Sequence, residues 1–164
     1  MTTLMNAVKR NDLARLKELI QQGVDINAPD ASGDVPLIMA AYEGHTEIVQ
    51  ALLEVGADVT AVDPGMKATA LHAAAYAGRT EAARLLIAYR IDINKQGPYN
   101  GYTALHDAIW QNHLETAKVI IEAGADLALK SHDGQTPLEF ARAKKRKELI
   151  ALLEQKTHPQ NNPT

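Results

Sequence analysis

The side chains with the most obvious chemistry in this sequence are histidines. Two runs, Thr69-Ala70-Leu71-His72 and Thr103-Ala104-Leu105-His106, set an imidazole at matched points, and each is followed by a large aromatic, Tyr76 or Trp110. Imidazoles so placed can serve as acid, base or metal ligand. Ser131-His132-Asp133 has the residue types of a nucleophilic relay, but sequence neighbours cannot form a relay, whose groups converge from separate elements. The basic run ARAKKRK at 141–147 has the character of a nucleic-acid contact or a nuclear localisation signal. Asp107 lies three residues before Trp110 and therefore on the same helical face. A carboxylate beside aromatic rings can hold a cation by charge and by cation–π attraction.

Composition removes several of these chemistries. The chain has no cysteine, which excludes disulfides, thiolate nucleophiles and sulfur-ligated zinc. Ser32 and Ser131 are its only serines. A net charge of -3 over 164 residues sets up no global field favouring nucleic acid or an anionic membrane. No run approaches the roughly 18 apolar residues of a membrane span, and the opening MTTLMNAVKRND lacks the pattern of a signal peptide. A cytoplasmic, monomeric chain is expected, with no cofactor, no metal and no membrane contact.

The elements that must position these residues follow from an internal repeat. Leu4, Leu37, Leu71, Leu105 and Leu138 recur at intervals of 33, 34, 34 and 33. Asp25, Asp58, Asp92 and Asp126 keep the same period, as do Glu47, Glu81, Glu115 and Glu148. Within a unit, Leu71, Ala74, Ala75 and Gly78 follow the spacing of one buried helical face. Thr69 is placed as an N-cap, and Thr136-Pro137-Leu138-Glu139 reads as a capping box with proline in the first turn. Gly44 and Gly78, or Asn11 and Asn112, supply the left-handed residue that closes the first helix. A second amphipathic helix follows, as in TEIVQALLEVG, and then a connection rich in turn formers. Asn100-Gly101 is the strongest hairpin signal among these connections.

Thr-Pro/Ala-Leu-His-x-Ala, Gly-His-x-Glu and Gly-Ala-Asp-Val together resemble the ankyrin repeat. The resemblance covers residues 2–155 in five units, approximately 2–30, 31–63, 64–96, 97–130 and 131–156, with a single domain over 1–156. It implies an all-α solenoid of stacked helix-turn-helix units with short β-hairpin fingers beside a concave face. The tail THPQNNPT at 157–164 is polar and is expected to be disordered. His72 and His106, one unit apart, would be separated by roughly 8–10 Å in stacked helices. Two imidazoles sharing a metal need bonds of about 2 Å each, so these cannot bind one ion. The resemblance makes them structural, each bonding the loop of a neighbour.

What remains for function is where the repeats disagree. Position i+5 from the repeated leucine turns about 140° away from the core, at ~100° per residue. Its occupants are Lys9, Tyr42, Tyr76, Trp110 and Ala143. Asp107 replaces Asn6, Met39, Ala73 and Phe140 of the other units, so no repeat rule demands it. Tyr99, Tyr102 and Met66 sit in the fingers, while Glu43 and Gln111 follow the aromatics. Aromatics with polar rims are what protein interfaces enrich. The expected function is a non-catalytic module binding a partner protein or peptide through Tyr42, Glu43, Met66, Tyr76, Tyr99, Tyr102, Asp107, Trp110 and Gln111. The alternatives are a small-molecule binder or enzyme using the groove around Asp107 and Trp110, and, less favoured, a nucleic-acid binder using the basic last unit. Arg90 and Lys67 stand where other units have glycine; a left-handed backbone there costs a non-glycine residue about 1–2 kcal/mol.

Overall fold

A computed structural model describes residues 3–157 of the chain. Ten helices fall into five antiparallel pairs among these residues: α1 (Leu4–Lys9) with α2 (Leu13–Gln21), α3 (Pro36–Glu43) with α4 (Thr46–Glu54), α5 (Ala70–Ala77) with α6 (Thr80–Ala88), α7 (Ala104–Trp110) with α8 (Leu114–Glu122), and α9 (Pro137–Ala143) with α10 (Lys147–Thr157). The first helices stack in one layer, α1 on α3 on α5 on α7 on α9, and the second helices stack behind them. Helices this short are unstable alone in water; each is held by the face it buries against its neighbours.

That face follows the repeat. Leu37, Leu71 and Leu105 are buried between the layers. Ala40, Ala41, Ala74, Ala75 and Ala108 are fully buried too, and their small side chains let successive first helices approach closely. Leu138 is only partly buried; in the last unit Phe140 fills the core position instead. Thr69 and Thr103 cap α5 and α7, and each cap is a reciprocal box in which His72 or His106 takes the place usually held by glutamate. Thr136 and Glu139 form the expected box on α9. Thr157 belongs to α10 and not to a tail, and residues 158–164 lie outside the described residues.

The β-hairpin fingers do not exist: no residue among those described is in a strand. Each connection is instead a tight turn with a backbone bond across its neck, and in three of them Gly33, Gly101 or Gly134 donates a second bond back to the residue that opens the turn. The neck bonds run from the N–H of Asp30 to the carbonyl of Asp34, Asp63 to Ala68, Gly97 to Tyr102, and Ser131 to Gln135, all at 2.9 Å. The donors a longer ladder would need are taken by side chains. Asp30 accepts from the N–H groups of Ser32 and Asp34, Asp63 from those of Met66 and Ala68, and Asn100 from that of Tyr102. Carboxylate and amide side chains compete with sheet in this way. At Asn100-Gly101 only the glycine has positive φ (71°), whereas the hairpin turn favoured by that pair needs both residues left-handed.

Candidate functional site

The histidines of the repeated motif are fully committed to the scaffold. Thr69 N–H donates to His72 Nδ1, which leaves the proton on Nε2, and Nε2 donates to the Tyr102 carbonyl of the next loop at 3.1 Å. His106 repeats the arrangement with Thr103 and the Gln135 carbonyl. Burial lowers the pKa of both rings, keeping them neutral. They hold each loop to the one before it. His132 adds a further tie, with its backbone N–H donating to the Asn100 carbonyl at 2.8 Å and its Nδ1 to that of Tyr99 at 3.1 Å.

A second set of ties was not anticipated from the sequence. Arg79 Nε donates to the Tyr42 carbonyl at 3.0 Å, His113 Nε2 to the Tyr76 carbonyl at 3.1 Å, and Arg146 to the carbonyls of Ile109 and Trp110. Each comes from the residue just before a second helix and caps the end of the preceding first helix, where carbonyls lack intrahelical partners. The backbone of all three aromatics in the i+5 column is therefore anchored by the following unit. Their recurrence at the repeat period, 79, 113 and 146, was the available signal. Gly44 and Gly78 make the approach possible: both are left-handed, and a Cβ on either would stand 2.6 Å from Arg79 or His113.

The column points outward as its periodicity requires. Tyr42, Tyr76 and Trp110 are 47%, 42% and 39% exposed. With Tyr102 they line a pocket of about 430 Å³ between the first helices and the turns. Its floor carries the i+2 residues Met39, Ala73 and Asp107; Met66 and Ala68 come from the turn side. Tyr102 is half-buried at the hub of an aromatic cluster. It stacks on His106 with ring centres 5.6 Å apart, lies 5.1 Å from Phe140, and meets Trp110 nearly edge-on at 5.6 Å. Tyr76 approaches Trp110 edge-on at 6.4 Å. Such edge-to-face contacts fix ring orientation as well as adding stability. Glu43, Tyr99 and Gln111 do not line this pocket.

Asp107 is the unusual charge. Its carboxylate takes part in none of the hydrogen bonds to side chains or ion pairs of the described residues, and burial pushes its pKa up to about 7. Burial also raises the Tyr102 hydroxyl, helped by the negative charges of Asp133 and Asp107. The pocket is open; His106 does not line it, and the histidine that does, His72, has both ring nitrogens bonded to the scaffold. No group of three or more His, Asp or Glu residues converges as a metal site among the described residues. The basic run is largely occupied: Arg142 pairs with Glu154 at 2.9 Å, Arg146 holds the two carbonyls, and Lys144 lies 5.4 Å over the Trp110 ring.

A family model of ankyrin repeats in three copies matches residues 1–63 and again 62–131. The chain belongs to the ankyrin-repeat family. The ankyrin repeat is a non-catalytic scaffold, and the two histidines of its repeated motif here, His72 and His106, bond a cap threonine and the backbone of the next loop. Among curated proteins the chain is similar to the palmitoyltransferase Hip14 of Drosophila melanogaster, 36% identical over 42% of this chain and 11% of that protein. It also resembles ankyrin repeat domain-containing protein 29 of Danio rerio, 41% identical over 35% of this chain and 21% of that protein. Human ankyrin repeat domain-containing protein 49 is 40% identical over 36% of this chain and 25% of its own length. The chain thus matches only about a tenth to a quarter of each relative. No helix among the described residues is long and apolar enough to cross a membrane.

Proposed function

We propose that the concave face of this ankyrin array docks a partner protein or peptide. The observation that carries this reading is the aromatic groove. Tyr42, Tyr76 and Trp110 keep about half their surface or slightly less in water, although the scaffold buries smaller residues around them completely. Water-exposed rings bordering a concavity are the residue types that dominate binding energy at interfaces. Tyr42, Tyr76 and Trp110 serve as anchors, Met66 and Tyr102 as contacts from the turns, and Asp107 as a polar selector. Tyr99, Glu43 and Gln111, outside the groove itself, act as rim contacts. The anchoring of the three aromatic carbonyls by Arg79, His113 and Arg146 supports a preorganised surface, which lowers the entropic cost of binding.

The test is affinity capture by the wild-type chain and by a Tyr76→Ala/Trp110→Ala variant whose helical circular dichroism is unchanged. The variant is expected to lose the partners that the wild type retains, since central aromatic anchors typically cost 2 kcal/mol or more on truncation, roughly 30-fold in affinity. Equal capture of the same partners by both proteins would sink the proposal.

A further inference from the structure

We propose that the groove receives a lysine side chain of the partner, its methylenes lying along the floor at Ala73 and its ammonium meeting the Asp107 carboxylate between Tyr102 and Trp110. This rests on the docking reading above and specifies the chemistry it selects. Three features of the groove carry the argument. The first is charge: Asp34, Asp63 and Asp107 line it, no lysine or arginine does, and its single histidine is held neutral by burial and by its scaffold bonds. Asp63 is committed to the N–H groups of Met66 and Ala68, whereas the carboxylates of Asp34 and Asp107 have no hydrogen bond or ion pair among the described residues, and Asp107 is the one on the helix that carries Trp110.

The second feature is shape. Met39, Ala73 and Asp107 occupy the same helical position in successive units, so the floor runs from apolar to anionic along the stack. Successive stacked helices lie about 8–10 Å apart, and a stem resting over the small Ala73 side chain therefore points its end at Asp107. A long aliphatic chain ending in a compact cation matches such a floor. A bare metal ion does not, because it would need several oxygen ligands around one point.

The third is the aromatic wall. Tyr102 and Trp110 flank Asp107, and Trp110 already attracts a cation on the protein itself, Lys144 at 5.4 Å from its ring centre. Partial burial raises the Asp107 carboxyl to about 7, and a neighbouring ammonium offsets that desolvation by favouring the charged form.

The experiment is a titration of the full chain with two blocked pentapeptides, Gly-Ala-Lys-Ala-Gly and the same sequence with norleucine in place of lysine. Binding is followed by the single tryptophan indole resonance and the Tyr76 and Ala73 amides in a low-salt buffer at pH 8. The lysine peptide is expected to bind about tenfold more tightly than the norleucine peptide, in the range of a partly desolvated cation–π and ionic contact. In Asp107→Asn that preference is expected to shrink to about twofold or less. Equal affinity of the wild type for both peptides overturns the lysine assignment while leaving the groove reading intact. A lysine preference that survives in Asp107→Asn overturns the role of the carboxylate. Should neither peptide move these resonances, lysine recognition is ruled out, and partner capture by the Tyr76→Ala/Trp110→Ala variant decides the groove reading separately.

Discussion

Asp107 and the histidines show how one environment can give titratable groups opposite roles. His72 and His106 are buried with both ring nitrogens hydrogen-bonded, so their chemistry is exhausted in holding loops together. Asp107 is half-buried with no hydrogen bond or ion pair to its carboxylate among the described residues, and its folded pKa of about 7 stands above the ordinary carboxyl value of 3.8. The folded state therefore holds this proton more tightly than the unfolded chain does. The resulting stabilisation is complete below the unfolded pKa and is lost as pH rises through about 7. Asp107→Asn removes the titration. Thermal melts should show the variant more stable than wild type at pH 8, by about 2–5 °C, with the gap narrowing as pH falls below about 7 and closing near the unfolded carboxyl value of 3.8. A gap that does not change with pH would mean that Asp107 ionises normally.

At the scale of elements, left-handed residues come in two kinds. Gly23, Gly56 and Gly124, which follow the second helices, have positive φ but open space where a Cβ would go. Arg90 takes the same place in the third unit with φ 63°, and Lys67 is also left-handed at φ 57°. Arg90 carries the backbone cost at a position where its counterparts show no packing reason for glycine, whereas Gly33 and Gly101, two counterparts of Lys67, have neighbouring atoms under 3 Å from a Cβ. Gly78 has both constraints, because its missing Cβ leaves the passage for His113 to reach the Tyr76 carbonyl. Arg90→Gly is thus expected to stabilise the protein by about 1 kcal/mol. Gly78→Ala should destabilise it by about 2 kcal/mol or more, strain and the displaced His113 acting together. Urea denaturation of the two variants measures both signs; a destabilised Arg90→Gly would show that the arginine side chain makes a contact worth more than the strain.

At the scale of the whole molecule, stability is a chain of nearest-neighbour interfaces, because the main helix contacts among the described residues join adjacent units. The last described unit has a partly exposed Leu138, and its position is reinforced by Arg146 reaching back to α7. Leu149 is fully buried in that unit. Leu149→Ala should cost about 2–5 kcal/mol locally. Amide hydrogen exchange is then expected to accelerate in α9 and α10 while α3 to α6 keep their protection. Uniform acceleration along the chain would indicate a single cooperative unit instead of a graded array.

Much of this architecture was legible in the residue order, since a repeat of 33 or 34 residues records the same local solution five times. Helix faces, threonine caps, the structural role of His72 and His106, and the outward direction of Tyr42, Tyr76 and Trp110 all follow from periodicity, capping chemistry or family resemblance, which act over a few residues. The turns did not follow: Asn100-Gly101 signals a hairpin, but the side chains of Asp30, Asp63 and Asn100 take the backbone donors that a strand ladder requires. The reach of Arg79, His113 and Arg146 across 36 or 37 residues was equally hidden, although its period was in plain sight. Sequence by itself determined the units and which residues face outward. Only their stacking decided that Met39, Ala73 and Asp107 form one floor, that Glu43, Tyr99 and Gln111 stand outside the groove, and that the Asp107 carboxylate has no hydrogen bond or ion pair among the described residues, because burial and pairing depend on neighbours a full repeat away.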